Sequence, residues 1–326
     1  MLFDLRPKER LEGLFGRGEE YGELSRLVED GAWVAVLGRR MTGKTSLVKT
    51  FARERSGHYV SLMGVRNLVG LAEALLQSPG LELKELELGP SMLLRLKLTK
   101  TVESIFSRLE GRVVVLDEVQ ELASPAFLKL LKTLWDTCRG LRLVFTGSYA
   151  GVLKRMLEPG KGSPLYGRQP ARIELKPFSR DLAEEFLRRG FAEYGMSTRE
   201  SEIREAVERL GGAVGWLTYY GNSRCVRRMG HEEALKTALR EGSKIVLEEL
   251  NNFLASRRNR GLYVKALRMS RHGARWGELR DELQVNDKVL AEALSRLLDI
   301  GYLKREDGLY VVADPVVGEA VTRLRA

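Results

Sequence analysis

The sequence predicts a parallel α/β core, followed by a helical segment and then a helix-turn-helix module with a two-stranded wing. Three observations support this. A glycine loop joins a short apolar run to an amphipathic one near residue 38. Further β-branched runs alternate with helical periods through the first half of the chain, which is the pattern of a parallel sheet. Beyond residue 251, three helical periods lead into two short runs joined by Asp307-Gly308.

The first element is Trp33-Val34-Ala35-Val36-Leu37, an apolar run of the buried-strand type. Gly38-Arg39-Arg40-Met41-Thr42-Gly43-Lys44-Thr45 follows and fits the phosphate-loop pattern G-x-x-x-x-G-K-[ST] at every fixed position. Ser46-Leu47-Val48-Lys49-Thr50-Phe51-Ala52 then opens an amphipathic helix. Strand, glycine loop and helix turn backbone N–H groups and a helix N-terminus toward a phosphate chain. Gly38 and Gly43 permit the tight path, and residues 38–46 form the expected nucleotide cradle. Lys44 reaches the β- and γ-phosphates, and the Thr45 hydroxyl suits Mg²⁺.

His58 to Met63 forms a second apolar run, and Asn67 to Ser78 has a helical period with Asn67 as its cap. Residues 81–98 alternate Leu with charge, so strand and helix periods conflict there. Arg112-Val113-Val114-Val115-Leu116 is a buried strand ending in Asp117-Glu118. Two carboxylates at a strand end beside a phosphate loop have distinct uses. Asp117 holds the metal's coordination shell, and Glu118 polarises the attacking water. Ala126 to Arg139 reads as an amphipathic helix, and Leu141 to Thr146 as another core strand.

Composition sets limits. A chain of 326 residues implies two or three domains. No apolar run approaches a membrane span, and the first residues lack a signal-peptide core. Cys138 and Cys225 match no metal spacing, so a cytoplasmic location is expected. The net charge of +10 favours a polyanionic partner, nucleic acid before an acidic lipid surface.

Leu14-Phe15-Gly16-Arg17 with Glu19-Glu20 resembles the F-x-G-R-E-x-E-L box of STAND and AAA+ ATPases, with Gly18 and Tyr21 as departures. Ser163-Pro164-Leu165-Tyr166-Gly167-Arg168, followed by Ile173 to Phe178, is similar to the P-L-Y-G-R and L-x-P-F signature of the archaeal ATPase family. On these motifs the chain is identified as a member of that family, within the STAND group and related to archaeal origin-recognition ATPases. The resemblance implies a P-loop NTPase fold, ATP as the nucleotide, and Phe15 and Arg17 near the adenine. It places Ser148 or Thr146 at the sensor 1 position. It makes Arg168 the arginine that senses the γ-phosphate, in cis or across a homo-oligomer. Gly211-Gly212-Ala213-Val214-Gly215-Trp216-Leu217 takes the place of the lid motif G-G-x-P-x-x-L, with Val214 for Pro and no sensor 2 arginine.

The expected organisation is a core at 1–176, a helical lid at 177–250 and a winged helix-turn-helix at 251–326. In the last module Asn286 or Asp287 caps the recognition helix. Lys288 and Arg296 on that helix, and Lys304 and Arg305 on the wing, are candidate contacts to duplex DNA. Winged helices also bind proteins, so the partner stays open.

Overall fold

The computed structural model describes residues 1–78, 95–122, 125–147, 151–255 and 257–325. They form two compact units. One comprises Pro7–Gly38 and Gly43–Leu175; the other comprises Met1–Arg6, Arg39–Thr42 and Lys176–Ala326.

The first unit is built on a parallel sheet of β1 (Val34–Gly38), β2 (His58–Ser61), β3 (Val113–Asp117), β4 (Arg142–Thr146) and β5 (Ala171–Leu175), in the order β2-β3-β4-β1-β5. In this order β4 separates β1 from β3, and β2, the second apolar run, takes one edge. Around the sheet lie α1 (Gly18–Glu29), α2 (Lys44–Glu54), α3 (Leu68–Leu76), α4 (Arg95–Arg108), α5 (Pro125–Thr137) and α6 (Gly151–Leu157).

Strand alternation divides the core into two layers. Ala35, Leu37, Val114, Leu116, Leu143 and Phe145 pack with residues of α3, α4 and α5. Val34, Val36, Val113, Val115 and Val144 face the other way, against Leu24 and Val28 of α1 and Leu47, Val48 and Phe51 of α2. Burial on both faces explains why these strands read as unbroken apolar runs. Asn67 caps α3 as expected, accepting from the Gly70 N–H at 3.0 Å. Most of the ambiguous stretch 81–98 lies outside the described residues. Its last residues open α4, a helix the conflicting periods concealed.

The second unit is mainly helical: α7 (Arg180–Glu193), α8 (Glu200–Leu210), α9 (Val214–Cys225) and α10 (His231–Ala255), then α11 (Arg260–Met269), α12 (Trp276–Leu283) and α13 (Asp287–Asp299). Strands β6 (Leu303–Glu306) and β7 (Leu309–Val312) form an antiparallel hairpin, and α14 (Pro315–Arg323) closes the chain. At the hairpin turn Asp307 and Gly308 both have positive φ, 49° and 79°, which suits a type I′ turn. Asn286, not Asp287, caps α13 by accepting from the Val289 N–H at 2.9 Å.

Two features differ from the sequence reading. Helix α10 runs through Asn251-Asn252 to Ala255, because Leu250 and Leu254 continue its buried stripe, so the expected boundary at 251 falls inside a helix. Asp314-Pro315 ends the hairpin and also starts α14. The Asp314 carboxylate caps the Val317 N–H at 2.9 Å, and proline fits the first helical position.

The first six residues pack in this second unit. Phe3 is fully buried, with ring centroids 5.7 Å from Phe186 and 5.2 Å from Phe191. Its carbonyl accepts from the Asn222 side chain at 2.9 Å. Gly190 and Gly221 make the room: a Cβ on either would stand 2.2 or 2.4 Å from the Phe3 ring. Phe3→Ala is therefore expected to destabilise the protein by about 3–5 kcal/mol. Urea unfolding would measure this, with loss of the helical signal as the reporter.

Candidate nucleotide site

Strand β1 ends at Gly38, and the chain turns through Arg39 to Gly43 into α2. Gly43 sits at the helix N-cap with φ 96°, a conformation that favours glycine. Lys44 is the first helical residue, and its ammonium donates back to the Gly38 carbonyl at 2.7 Å. The buried Thr42 hydroxyl donates to the Arg39 carbonyl at 2.7 Å. Thr45 is half-buried at the start of α2. The Ser46 hydroxyl is engaged elsewhere: it accepts from the Lys8 N–H at 3.1 Å, and Thr50 donates to the Lys8 carbonyl at 3.2 Å. Residues near Lys8 are thereby fastened along α2.

Asp117 is the last residue of β3 and is 2% exposed. Alternation puts it on the same face as Val113 and Val115, the face that α2 covers. Thr45 opens that helix, so the two expected metal ligands lie on one side of the sheet. Both Asp117 oxygens are held: Oδ2 accepts from the Tyr59 hydroxyl at 2.6 Å, and Oδ1 from the Glu118 N–H at 3.0 Å. Burial and the neighbouring carboxylate push the Tyr59 hydroxyl far above its ordinary range, so it stays a donor. Tyr59 was not among the expected site residues. The signal that would have found it is its place near the end of the strand that pairs with β3.

Glu118 is half-buried, with φ 58°, an uncommon value for a residue with a side chain. The Gln120 amide donates to its carboxylate. Thr146 ends β4 on the same face as Val144, and its register continues to Val36 on one side and toward Asp117 on the other. It is fully buried, and its hydroxyl has no hydrogen-bond partner among the described residues. Buried hydroxyls are normally paired, so this one stands out at the end of β4. Ser148, the other sensor candidate, lies outside the described residues.

Arg168 lies between α6 and β5 and its side chain contacts α5. It donates to Asp136 Oδ1 at 2.9 Å and to the Tyr166 carbonyl at 3.4 Å. Lys132 and Arg168 together hold the Asp136 carboxyl below its usual range. Phe15 is half-buried, and the buried Arg17 pairs with Glu20 at 2.7 Å.

The tip of the phosphate loop, residues 39–42, belongs to the second unit. There the Gly215 N–H at the start of α9 donates to the Met41 carbonyl at 2.9 Å, and a Cβ on Gly215 would stand 2.5 Å from the Met41 sulfur. Arg40 pairs with Glu249 of α10, and Arg39 lies 3.7 Å from Asp314. Burial lowers the Arg39 pKa and raises that of Asp314, each countered in part by the other's charge. The two lid signatures also meet. Phe178 N–H donates to the Gly212 carbonyl at 2.8 Å, and a Cβ on Gly212 would overlap the Phe178 carbonyl at 2.0 Å.

Three of the four candidate DNA contacts are engaged with neighbours. Lys288 is exposed. Arg296 donates to the Tyr263 hydroxyl at 3.1 Å and pairs with Glu292. Lys304 pairs with Glu306 at 3.0 Å. Arg305 lies over the Tyr310 ring at 4.7 Å and donates to its hydroxyl at 2.6 Å. No helix among the described residues is long and apolar enough to cross a membrane.

The chain is similar to known proteins over its length. The Walker-type ATPase PABY2304 of Pyrococcus abyssi shares 32% identity, with 99% of this chain and 100% of that one covered and a TM-score of 0.85. The ORC2 protein of Aeropyrum pernix, solved as ADPNP-ADP complexes, shares 15% identity over 99% of this chain and 96% of its own, with a TM-score of 0.64. The Aeropyrum pernix ORC1 protein, solved in complex with DNA, shares 17% over 95% and 93%, with a TM-score of 0.52. The last two likenesses establish the fold alone. No curated protein matches this chain at a significant level. The family described as an ATPase domain predominantly from Archaea matches residues 14–219, and the chain belongs to it.

Proposed function

We propose that this protein binds ATP with Mg²⁺, hydrolyses it slowly, and uses its nucleotide state to set a C-terminal winged-helix module as a regulatory switch. The observation that carries the reading is Asp117: a buried carboxylate, fixed through both oxygens, on the sheet face where α2 begins with Lys44 and Thr45. An oxygen-only pair, Thr45 hydroxyl and Asp117 carboxylate, fits a hard cation such as Mg²⁺. When bound, Mg²⁺ supplies charge neutralisation on the phosphates.

The chain's own residues do the rest. Lys44 exchanges the Gly38 carbonyl for phosphate oxygens. Glu118 leaves Gln120 and takes a proton from the attacking water. The buried Thr146 hydroxyl donates to the water or the γ-phosphate. The loop tip carries the state outward, because Arg39, Arg40 and Met41 are already bound to Asp314, Glu249 and Gly215. In this reading the core ends at residue 176, the lid follows from 177, and the winged helix begins after α10.

Turnover and nucleotide binding by three forms of the protein test this. Glu118→Gln should keep ATP binding and lose about 10²–10⁴-fold in kcat. Lys44→Ala should lose nucleotide binding itself. Wild-type protein that binds ATP without turnover under any condition would reduce the reading to a nucleotide-held switch.

A second reading, contact with duplex DNA, is favoured by the exposed Lys288 and by the DNA complex of the Aeropyrum pernix ORC1 protein. With Lys288, Lys304 and Arg305 as phosphate contacts, log affinity should fall with log salt at a slope of about −3. Lys288→Ala should reduce that slope by about 1. Absence of binding to a labelled duplex at low salt would remove DNA and leave protein contact as the module's use.

A further inference from the structure

We propose that Tyr59 is a positioning residue for the metal-binding carboxylate: its hydroxyl holds Asp117 Oδ2 so that the free lone pairs stay aimed at the cation. This rests on the reading of Asp117 as a metal ligand.

Strand geometry makes the contact specific. In the β2–β3 ladder Ser61 lies opposite Asp117, and Tyr59 lies opposite Val115. Tyr59 and Asp117 are therefore diagonal neighbours on one face, two residues apart in register, a span that a long side chain bridges. The hydroxyl arrives at 2.6 Å. The Glu118 N–H at 3.0 Å holds the other oxygen, so rotation of the carboxylate is blocked from both sides. Either contact alone would leave it free to swing.

The residue is held at both ring and backbone. The Lys49 ammonium of α2 lies 4.8 Å from its centroid, and the Tyr59 carbonyl accepts from the Ser78 hydroxyl at 3.3 Å. Lys49 is on the helix that begins with Lys44 and Thr45, so one side chain ties that helix to the carboxylate. Outer-shell donors of this kind orient ligating carboxylates, and their loss typically costs 10–100-fold in metal affinity or activity.

Tyr59→Phe removes the hydroxyl and leaves the ring, its packing and the Lys49 contact. The full-length protein would be titrated with a fluorescent ADP in EDTA and then with Mg²⁺, beside wild type and Asp117→Asn. The expected result is unchanged ADP affinity in EDTA and a Mg²⁺ midpoint raised about 10-fold, in the direction of Asp117→Asn. A Mg²⁺ curve that coincides with wild type while Asp117→Asn shifts would overturn the inference alone. An equal loss of ADP affinity with and without Mg²⁺ would also overturn it, because it would mark Tyr59 as a packing residue. A wild-type protein indifferent to Mg²⁺ would overturn both this inference and the reading beneath it.

Discussion

The first unit is organised around one buried carboxylate, Asp117, held through both oxygens at the end of a strand buried on both faces. Asp117 is almost wholly removed from water. An unpaired buried charge is too costly to persist, so the fold supplies a phenol from β2 and a backbone N–H from its own turn. The residue that supplies the N–H, Glu118, itself takes φ 58°, in the left-handed region. Two adjacent acids thereby acquire different surroundings, Asp117 buried and Glu118 half-buried.

The second unit rests on a different constraint, close approach of side chains and backbone to glycines. Gly212 against Phe178, Gly215 against Met41, and Gly190 and Gly221 against Phe3 all leave no space for a Cβ. These contacts fix the start of α7, the start of α9 and the loop tip through packing rather than charge. Arg39 and Arg40 then add ion pairs to Asp314 and Glu249. The Arg39–Asp314 pair is buried enough that each group's pKa is dominated by desolvation, so disturbing either partner leaves a charge in poor surroundings.

The basic charge of the chain is a weaker guide than it looked. Three of the four cations singled out on the C-terminal module are spent on neighbours: Arg296 on Tyr263 and Glu292, Lys304 on Glu306, and Arg305 on Tyr310. Net charge counts groups and ignores pairing. Surface pairs of this kind are worth little and exchange readily, so they lower the appeal of a DNA surface without abolishing it.

The sequence by itself determined the phosphate loop, the acid-bearing strand, the cap at Asn67, and the Asp307-Gly308 hairpin, because each is set by neighbours within a few residues. It also carried the family, through motifs that are local strings. Only tertiary structure decided that β4 separates β1 from β3, that Tyr59 holds Asp117, that Ser46 serves Lys8 and Arg168 serves Asp136, and that Phe3 fills a cavity between Gly190 and Gly221. These pairings join residues 32 to 218 positions apart in the chain. Helix α4 escaped the sequence reading for a related reason: its start adjoins a stretch where alternating Leu fits two periods equally. A side chain's type restricts what it can bind, and its partner is settled only when packing brings distant segments within reach.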